Sequence, residues 1–210
     1  MTNENRQIVH IVDDDDAVRD SLSLLLSSVG LESRQYASAS AFLESDFQKT
    51  AGCIVLDIRM PGMSGMDLHS KLNEMGCHLP VIFITGHGDI PMAVEAMKRG
   101  AVEFVQKPFR EQDLLDCINR ALQLDAGRRE STQEVDVIRE RLATLTPREQ
   151  QVMEMIVDGK ANKVIAFDLN LSQRTVEIHR AHVMEKMQTK SLAELVRMVM
   201  LANGTQPAQQ

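Results

Sequence analysis

Apolar, β-branched runs recur in the first half of the chain at 8–12, 53–56, 81–84 and 102–105, with a weaker one at 32–36. Runs that are apolar throughout, rather than alternating, suit strands buried on both faces. Between them the spacing becomes helical. Ala17 to Val29 places Leu22, Leu25, Leu26 and Val29 on one face, and Gly30 can cap its end. Met66 to Met75 and Pro91 to Arg99 follow the same rule, the latter with proline in its first turn and Gly100 behind it. From Glu111 onward, Leu114, Leu115, Ile118 and Leu122 share a face. Five strands alternating with five helices predict a doubly wound parallel sheet covered on both sides.

The pattern changes after residue 122. Residues 123–140 are charged, hold one Gly and no Pro, and so are not a flexible Gly/Ser linker. Val135, Ile138 and Leu142 at helical spacing favour an outward extension of the preceding helix; a charged coil with a short helix after Ser131 is the alternative. Beyond it, caps mark four helices. Thr146-Pro147-Arg148-Glu149 is a capping box with proline at the first helical position, opening a helix that carries Val152, Met155 and Ile156 and ends at Gly159. A second helix runs from about Asn162 through Val164, Ile165 and Leu169, and Asn170 suits a left-handed turn. Ser172 opens a third, with Val176, Val183 and Met187 inward. Ser191 to Glu194 is a second capping box, opening a fourth helix with Leu195, Val196 and Val199. The pair around Asn170 predicts a helix-turn-helix, whose second helix enters the major groove by its N-terminal residues. Gln173, Arg174, Glu177, Ile178, Arg180 and Ala181 face outward on it. Bases there can neutralise phosphates, Glu177 can accept from cytosine, and Ile178 can touch a thymine methyl. An ordinary amphipathic helix with a solvated charged face has the same spacing.

Polar groups sit at the ends of the four clear runs. Asp13 to Asp16 follow the first, Asp57 the second, Thr85 the third and Lys107 the fourth. Ligands bind at the carboxyl ends of parallel strands, so carboxylates, a hydroxyl and an ammonium converge on one crevice. Asp13, Asp14 and Asp57 held together raise one another's pKa unless a cation neutralises them. Oxygen donors in small number suit Mg²⁺, which commonly bridges to phosphate oxygens. An Asp beside it is a candidate nucleophile toward a phosphoryl group, with Lys107 and Thr85 able to contact the phosphoryl oxygens. Asp16 is expected to cap the first helix. Lys107-Pro108 is a candidate cis peptide.

Composition narrows the class. The net charge of −7 lies wholly in residues 1–122, which hold 11 Lys/Arg against 18 Asp/Glu, while residues 123–210 hold 12 of each. Residues 159–190 contain six bases against three acids, so the two parts should meet different partners. Aromatics are 3% with no Trp, which argues against stacking platforms for single-stranded nucleic acid. No apolar run approaches the roughly 20 residues that span a bilayer. Met1 to Asn5 lacks signal-peptide features, so a cytoplasmic protein without membrane contact is expected. Cys53, Cys77 and Cys117 lack CxxC spacing and read as small buried hydrophobes. His10, His69 and His78 read as structural or solvated. His179 and His182, with no ligand cluster near them in sequence, read as packing or phosphate contacts rather than metal ligands.

Residues 6–122 resemble a response-regulator receiver domain of flavodoxin-like fold: the acidic pair, Asp57, Thr85 and Lys107-Pro108 match in order and spacing. The resemblance implies that Asp57 accepts phosphate from a partner sensor histidine kinase. It also implies Mg²⁺ held by Asp13, Asp14, Asp57 and the Arg59 carbonyl, and a switch formed by Thr85 and Phe104. Arg59 and His87 lie near the site mouth, where they could tune dephosphorylation. Residues 143–203 resemble the LuxR-type DNA-binding domain through Leu145 to Glu149, Asn162 to Ala166 and Arg174 to Arg180. Here the resemblance puts Glu177, Ile178 and Ala181 near bases and Lys163, Arg174, Thr175 and Arg180 near phosphates. Many relatives carry Lys where Glu177 stands, so their base preference does not transfer. With residues 123–142 as the helical linker, the whole is similar to the FixJ-like class. It implies a non-enzymatic transcriptional regulator, an activator working with RNA polymerase. Its phosphorylation would drive homodimerisation on a two-fold symmetric site in double-stranded DNA through the fourth helix, fifth strand and fifth helix. Two rivals remain: a Mg²⁺-dependent phosphatase, which would want an acid where Arg59 stands, and a phosphorylation-independent DNA-binding or scaffold protein.

Overall fold

The computed structural model describes residues 6–86 and 90–204, with Ile90 and Pro91 described by their backbone only. Met1 to Asn5, His87 and the segment after 204 lie outside it, and with them the expectations placed on those residues. The chain divides into two compact units between Arg128 and Arg129.

The first unit is a five-stranded, wholly parallel sheet in the order β2-β1-β3-β4-β5. Its strands are β1 (Gln7–Val12), β2 (Glu32–Tyr36), β3 (Ala51–Asp57), β4 (Val81–Thr85) and β5 (Glu103–Gln106). Helices α1 (Asp16–Ser28), α2 (Ala39–Leu43), α3 (Gly65–Glu74), α4 (Ile90–Lys98) and the start of α5 (Glu111–Ala143) connect and follow them. β3 shows why its run is continuous in apolar residues. Cys53 and Val55 join the core with Leu22, Leu26, Leu114 and Ile118, while Ile54 and Leu56 join the other with Phe42, Leu68, Leu72 and Phe83. Alternate side chains thus serve opposite faces, and both faces are dry.

Three expectations shift. Asp15, not Asp16, caps α1: its carboxylate accepts from the Ala17 and Val18 amides at 2.8 and 3.4 Å. Asp16 lies in the first turn and pairs with Arg19 instead. Val29 sits at the C-cap of α1 and is 50% exposed, because the helix stops at Ser28 and turns at Gly30 with φ 78°. Contacts of this unit also continue past residue 122. The buried Asp125 carboxylate accepts from the Gly52 amide at 2.8 Å, and Arg128 donates to the His78 carbonyl at 2.5 Å. Gly52 has φ +139°, and a Cβ there would lie 1.9 Å from the Ile8 carbonyl oxygen, so only glycine permits this β1–β3 approach. Helix α5 continues unbroken to Ala143, through the segment read as a helical linker.

The second unit is all helical: α6 (Pro147–Val157), α7 (Asn162–Asp168), α8 (Gln173–Lys186) and α9 (Leu192–Ala202). Ile138 and Leu142 of α5 pack into its core with Val152, Ile156, Ile165, Val176, Val183, Met187, Leu195 and Val199. The Thr146/Glu149 capping box is complete. The Ser191 box is not: Ser191 accepts from the Glu194 amide, but the Glu194 carboxylate bonds Thr189 Oγ1 at 2.6 Å rather than returning to the Ser191 amide. Asn170 takes φ 53° between α7 and α8, as its left-handed tolerance allows.

Candidate functional site

Asp13, Asp57 and Lys107 converge at the carboxyl end of the sheet. The Lys107 ammonium donates to Asp13 Oδ2 at 2.8 Å and to Asp57 Oδ1 at 3.1 Å. Both carboxylates are buried, and the lysine side chain is 23% exposed. The remaining oxygens are oriented by backbone: Asp13 Oδ1 accepts from the Asp15 amide at 2.9 Å, and Asp57 Oδ2 from the Arg59 amide at 2.7 Å. Register explains the convergence. Val12 pairs with Leu56, Asp57 with Ile84 and Thr85 with Gln106, so the polar residues lie at neighbouring strand ends. The Lys107 amide donates to the Thr85 carbonyl at 2.7 Å, and the Lys107-Pro108 peptide is cis.

Burial pushes the Asp57 carboxyl above the ordinary carboxylate range; Lys107 opposes the shift and the Asp13 charge adds to it. Burial also works against the charge on Lys107, but hydrogen bonds and attraction from Asp13 and Asp57 outweigh it and raise its pKa. One ammonium therefore serves two buried carboxylates, and the exposed Asp14 adds a third beside them. The donor set is all hard oxygen with net negative charge, which fits a divalent cation such as Mg²⁺.

Asp14 and Arg59 line an open cleft of about 670 Å³ with Met60, Asp67, Glu95 and Arg99. Thr85 is buried at the end of β4. Phe104 is half-buried beside α4, in a groove of about 570 Å³ with Val94, Met97 and Glu103.

Two residues here escaped sequence reasoning. Arg19 donates to the Asp13 carbonyl at 2.7 Å and is buried, so it braces the acidic turn from within α1. Gly65 donates to the Ile58 carbonyl at 2.9 Å. A Cβ on Gly65 would lie 2.1 Å from the Asp57 carbonyl oxygen, so α3 starts against the backbone of Asp57 itself. Pro61-Gly62 and Ser64-Gly65 are turn-forming pairs, but nothing in the sequence points to this contact.

In the second unit, Arg174, Glu177, Ile178 and Ala181 are exposed along one side of α8, and Lys163 is exposed on α7. Thr175 is half-buried at the α8 N-terminus, where its amide and hydroxyl meet Ser172 Oγ at 3.0 and 2.7 Å. Arg180 is half-buried and donates to Asn162 Oδ1 at 3.3 Å, tying α8 to α7. His10 is structural, as expected, whereas His179 and His182 have a neighbour that the sequence did not suggest. His10 is wholly buried, lies within hydrogen-bond distance of Tyr36 and Thr50, and is held by burial at a pKa of about 4. His179 and His182, read as free of ligand neighbours, are joined in space by Glu149 of α6. No signal in the sequence spacing brings residue 149 to 179.

The response regulator receiver domain family matches residues 9–119, and the family of bacterial regulatory proteins of the luxR type matches residues 143–199. The chain is 51% identical to the transcriptional regulatory protein FixJ of Azorhizobium caulinodans, over 95% of this chain and 94% of that protein. It is 48% identical to nodulation protein W of Bradyrhizobium diazoefficiens, over 92% of this chain and 85% of that protein. Among solved structures, response regulator StyR superposes with a TM-score of 0.85 at 47% identity, covering 92% of this chain and 98% of that one. Full-length FixJ from B. japonicum gives 0.58 at 43% identity, covering 95% and 98%.

Proposed function

The chain belongs to the FixJ-like response regulators, transcriptional regulators that join a receiver to a LuxR-type DNA-binding domain, and we propose that phosphorylation of its Asp57 switches dimerisation and promoter binding. The buried Asp57–Lys107–Asp13 cluster carries this reading: a carboxylate with raised proton affinity is poised beside the one ammonium that contacts it among the described residues. An Asp57 oxygen would attack the phosphorus of a phosphohistidine on a sensor kinase. The P–O bond forms as the P–N bond breaks, and the electron pair leaves with the imidazole. Lys107 would turn one of its hydrogen bonds to the arriving phosphoryl oxygens. Asp13, Asp14, Asp57 and the Arg59 carbonyl would hold Mg²⁺, which when bound neutralises these carboxylates and offsets charge on the transferring group.

Thr85 ends the strand beside Asp57, and its hydroxyl would bond the phosphoryl group. That draws the end of β4 inward and lets Phe104 repack, biasing a two-state surface formed by α4, β5 and α5. Val94 and Met97 there are 47% and 46% exposed, an apolar strip beside Lys98 and the Glu103–Arg120 ion pair. Such a strip, flanked by both charge signs, suits a self-complementary dimer. Two second units would then read a two-fold symmetric DNA site. Lys163, Arg174, Thr175 and Arg180 would contact phosphates and Glu177, Ile178 and Ala181 base edges. Activation, by contact with RNA polymerase, is the expected output. No helix among the described residues is long and apolar enough to cross a membrane, and a regulator of this kind works where the DNA is, in the cytoplasm. A phosphatase reading lacks support, because Arg59 stands where a second acid would be needed.

Acetyl phosphate tests the proposal directly. Intact mass should gain one phosphoryl group, only with Mg²⁺ and only when Asp57 is present, and that form should bind promoter DNA more tightly. An equal adduct on Asp57→Asn, or phosphate-independent promoter response in cells carrying that variant, would overturn it.

A further inference from the structure

Glu149, His179 and His182 bring one ligand atom each to within 4.8 Å of one another. Nothing in the phosphorylation or DNA-reading scheme uses Glu149. The two histidines are three residues apart on α8, so both rings leave the helix on the same side. Glu149 reaches them from the first turn of α6. Its two oxygens have different work. Oε2 accepts from Lys186 Nζ at 2.6 Å and from the Thr146 amide at 2.8 Å. Oε1 faces His182 Nδ1 at 3.5 Å, longer than a good hydrogen bond. His179 Nδ1 is buried and has no hydrogen-bond partner among the described residues. A buried ring nitrogen without a partner carries an uncompensated desolvation cost, so a group that satisfied it would be retained. His182 is exposed, which gives an entry path and leaves room for water as a further ligand.

We propose that Glu149, His179 and His182 bind a divalent transition-metal ion of the zinc class, clamping α8 to the capping turn of α6. Two imidazoles and one carboxylate with an open position form a donor set that zinc, cobalt and nickel accept, whereas Mg²⁺ and Ca²⁺ prefer oxygen alone. Lys186 keeps a positive charge beside the carboxylate, so the site is weaker than one without it. Because α8 carries Ile178 and Ala181 on its exposed side, an occupied site would stiffen the helix that presents them.

The test uses the full chain, stripped with chelator and titrated with Zn²⁺ by calorimetry. Millimolar Mg²⁺ is kept present to compete at the all-oxygen cluster around Asp57. Wild type should take up one Zn²⁺ per chain and show a raised melting temperature for the helical unit, since an ion that binds only the folded state stabilises it. His182→Ala removes an exposed ligand without opening the core. It should weaken binding at least tenfold and erase the thermal shift, and His179→Gln should do the same. Absence of saturable Zn²⁺ binding would overturn the proposal. So would equal affinity in His182→Ala, which would place the ion on a cysteine or the acidic cluster.

Discussion

Asp57 is held in a place that suits a phosphoryl acceptor and suits its own charge poorly. Its folded pKa is raised, chiefly by burial. A raised carboxyl pKa contributes stability only where the group is protonated; that contribution is lost as pH rises through the folded value. Asp57→Asn should therefore melt a few degrees above wild type at pH 7 without divalent cations. The gap should close as pH falls below the ordinary carboxylate range, and should narrow on adding Mg²⁺. Differential scanning calorimetry across pH would measure it; a variant less stable than wild type at pH 7 would contradict the account. Glu149 has the opposite sign. The hydrogen bond from Lys186, with the Thr146 cap, holds its carboxyl down from 4.5 to about 2. Its contribution is present above 4.5 and lost as pH falls toward about 2. The melting temperature of the helical unit should drop through that window, and Glu149→Gln should flatten the slope while lowering stability at pH 7. An unchanged acid profile in the variant would remove Glu149 as the cause.

At the scale of elements, helix ends and strand ends decide most of the architecture, and both are written locally. The strand runs, the Thr146 capping box, Asn170 at its left-handed turn and Ser172 at the start of α8 were all legible, because each rests on neighbours within four residues. What was hidden rests on pairs farther apart than that, or on backbone groups that carry no sequence signal. The Asp125–Gly52 hydrogen bond spans 73 positions, the Arg19 brace runs to a backbone carbonyl, and Gly65 abuts Asp57 across a loop. The same reason hid the Glu149–histidine cluster. Asp125→Ala leaves the Gly52 amide without its acceptor inside the fold, and should cost about 1–3 kcal/mol of receiver stability; urea unfolding monitored on the receiver would show it. In α8 the two proposed kinds of DNA contact separate cleanly. Arg180→Ala should weaken binding to all DNA sequences alike and lower the salt dependence. Glu177→Ala should instead relax preference at one base pair, as a selection assay on randomised DNA would report. A sequence-selective loss for Arg180, or unaltered preference for Glu177, would reverse their assigned roles.

For the whole molecule, charge poses a problem that the proposed dimerisation would solve. The receiver half carries the entire net charge of −7, and a phosphoryl group makes it more negative still. Duplex DNA repels that surface, so phosphorylation cannot raise affinity by direct attraction. It can do so by coupling two reading units, since linked binding events gain effective concentration without new contacts. The surface that couples them must then be separable from the chemistry at Asp57. Val94 is exposed on α4, away from the carboxylate cluster, beside Met97 and Phe104. In the proposed isologous interface a charge placed there would fall once on each protomer, close to its symmetry mate and desolvated. Val94→Asp should therefore reduce phosphorylation-linked dimerisation at least tenfold in sedimentation experiments. It should still accept one phosphoryl group from acetyl phosphate, and its promoter affinity should stay at the unphosphorylated level. Leu24→Asp is the matched control: Leu24 is 74% exposed on α1, and a charge there should leave dimerisation intact. If Val94→Asp dimerised like wild type while Leu24→Asp did not, the coupling surface would lie on α1 instead of beside Phe104.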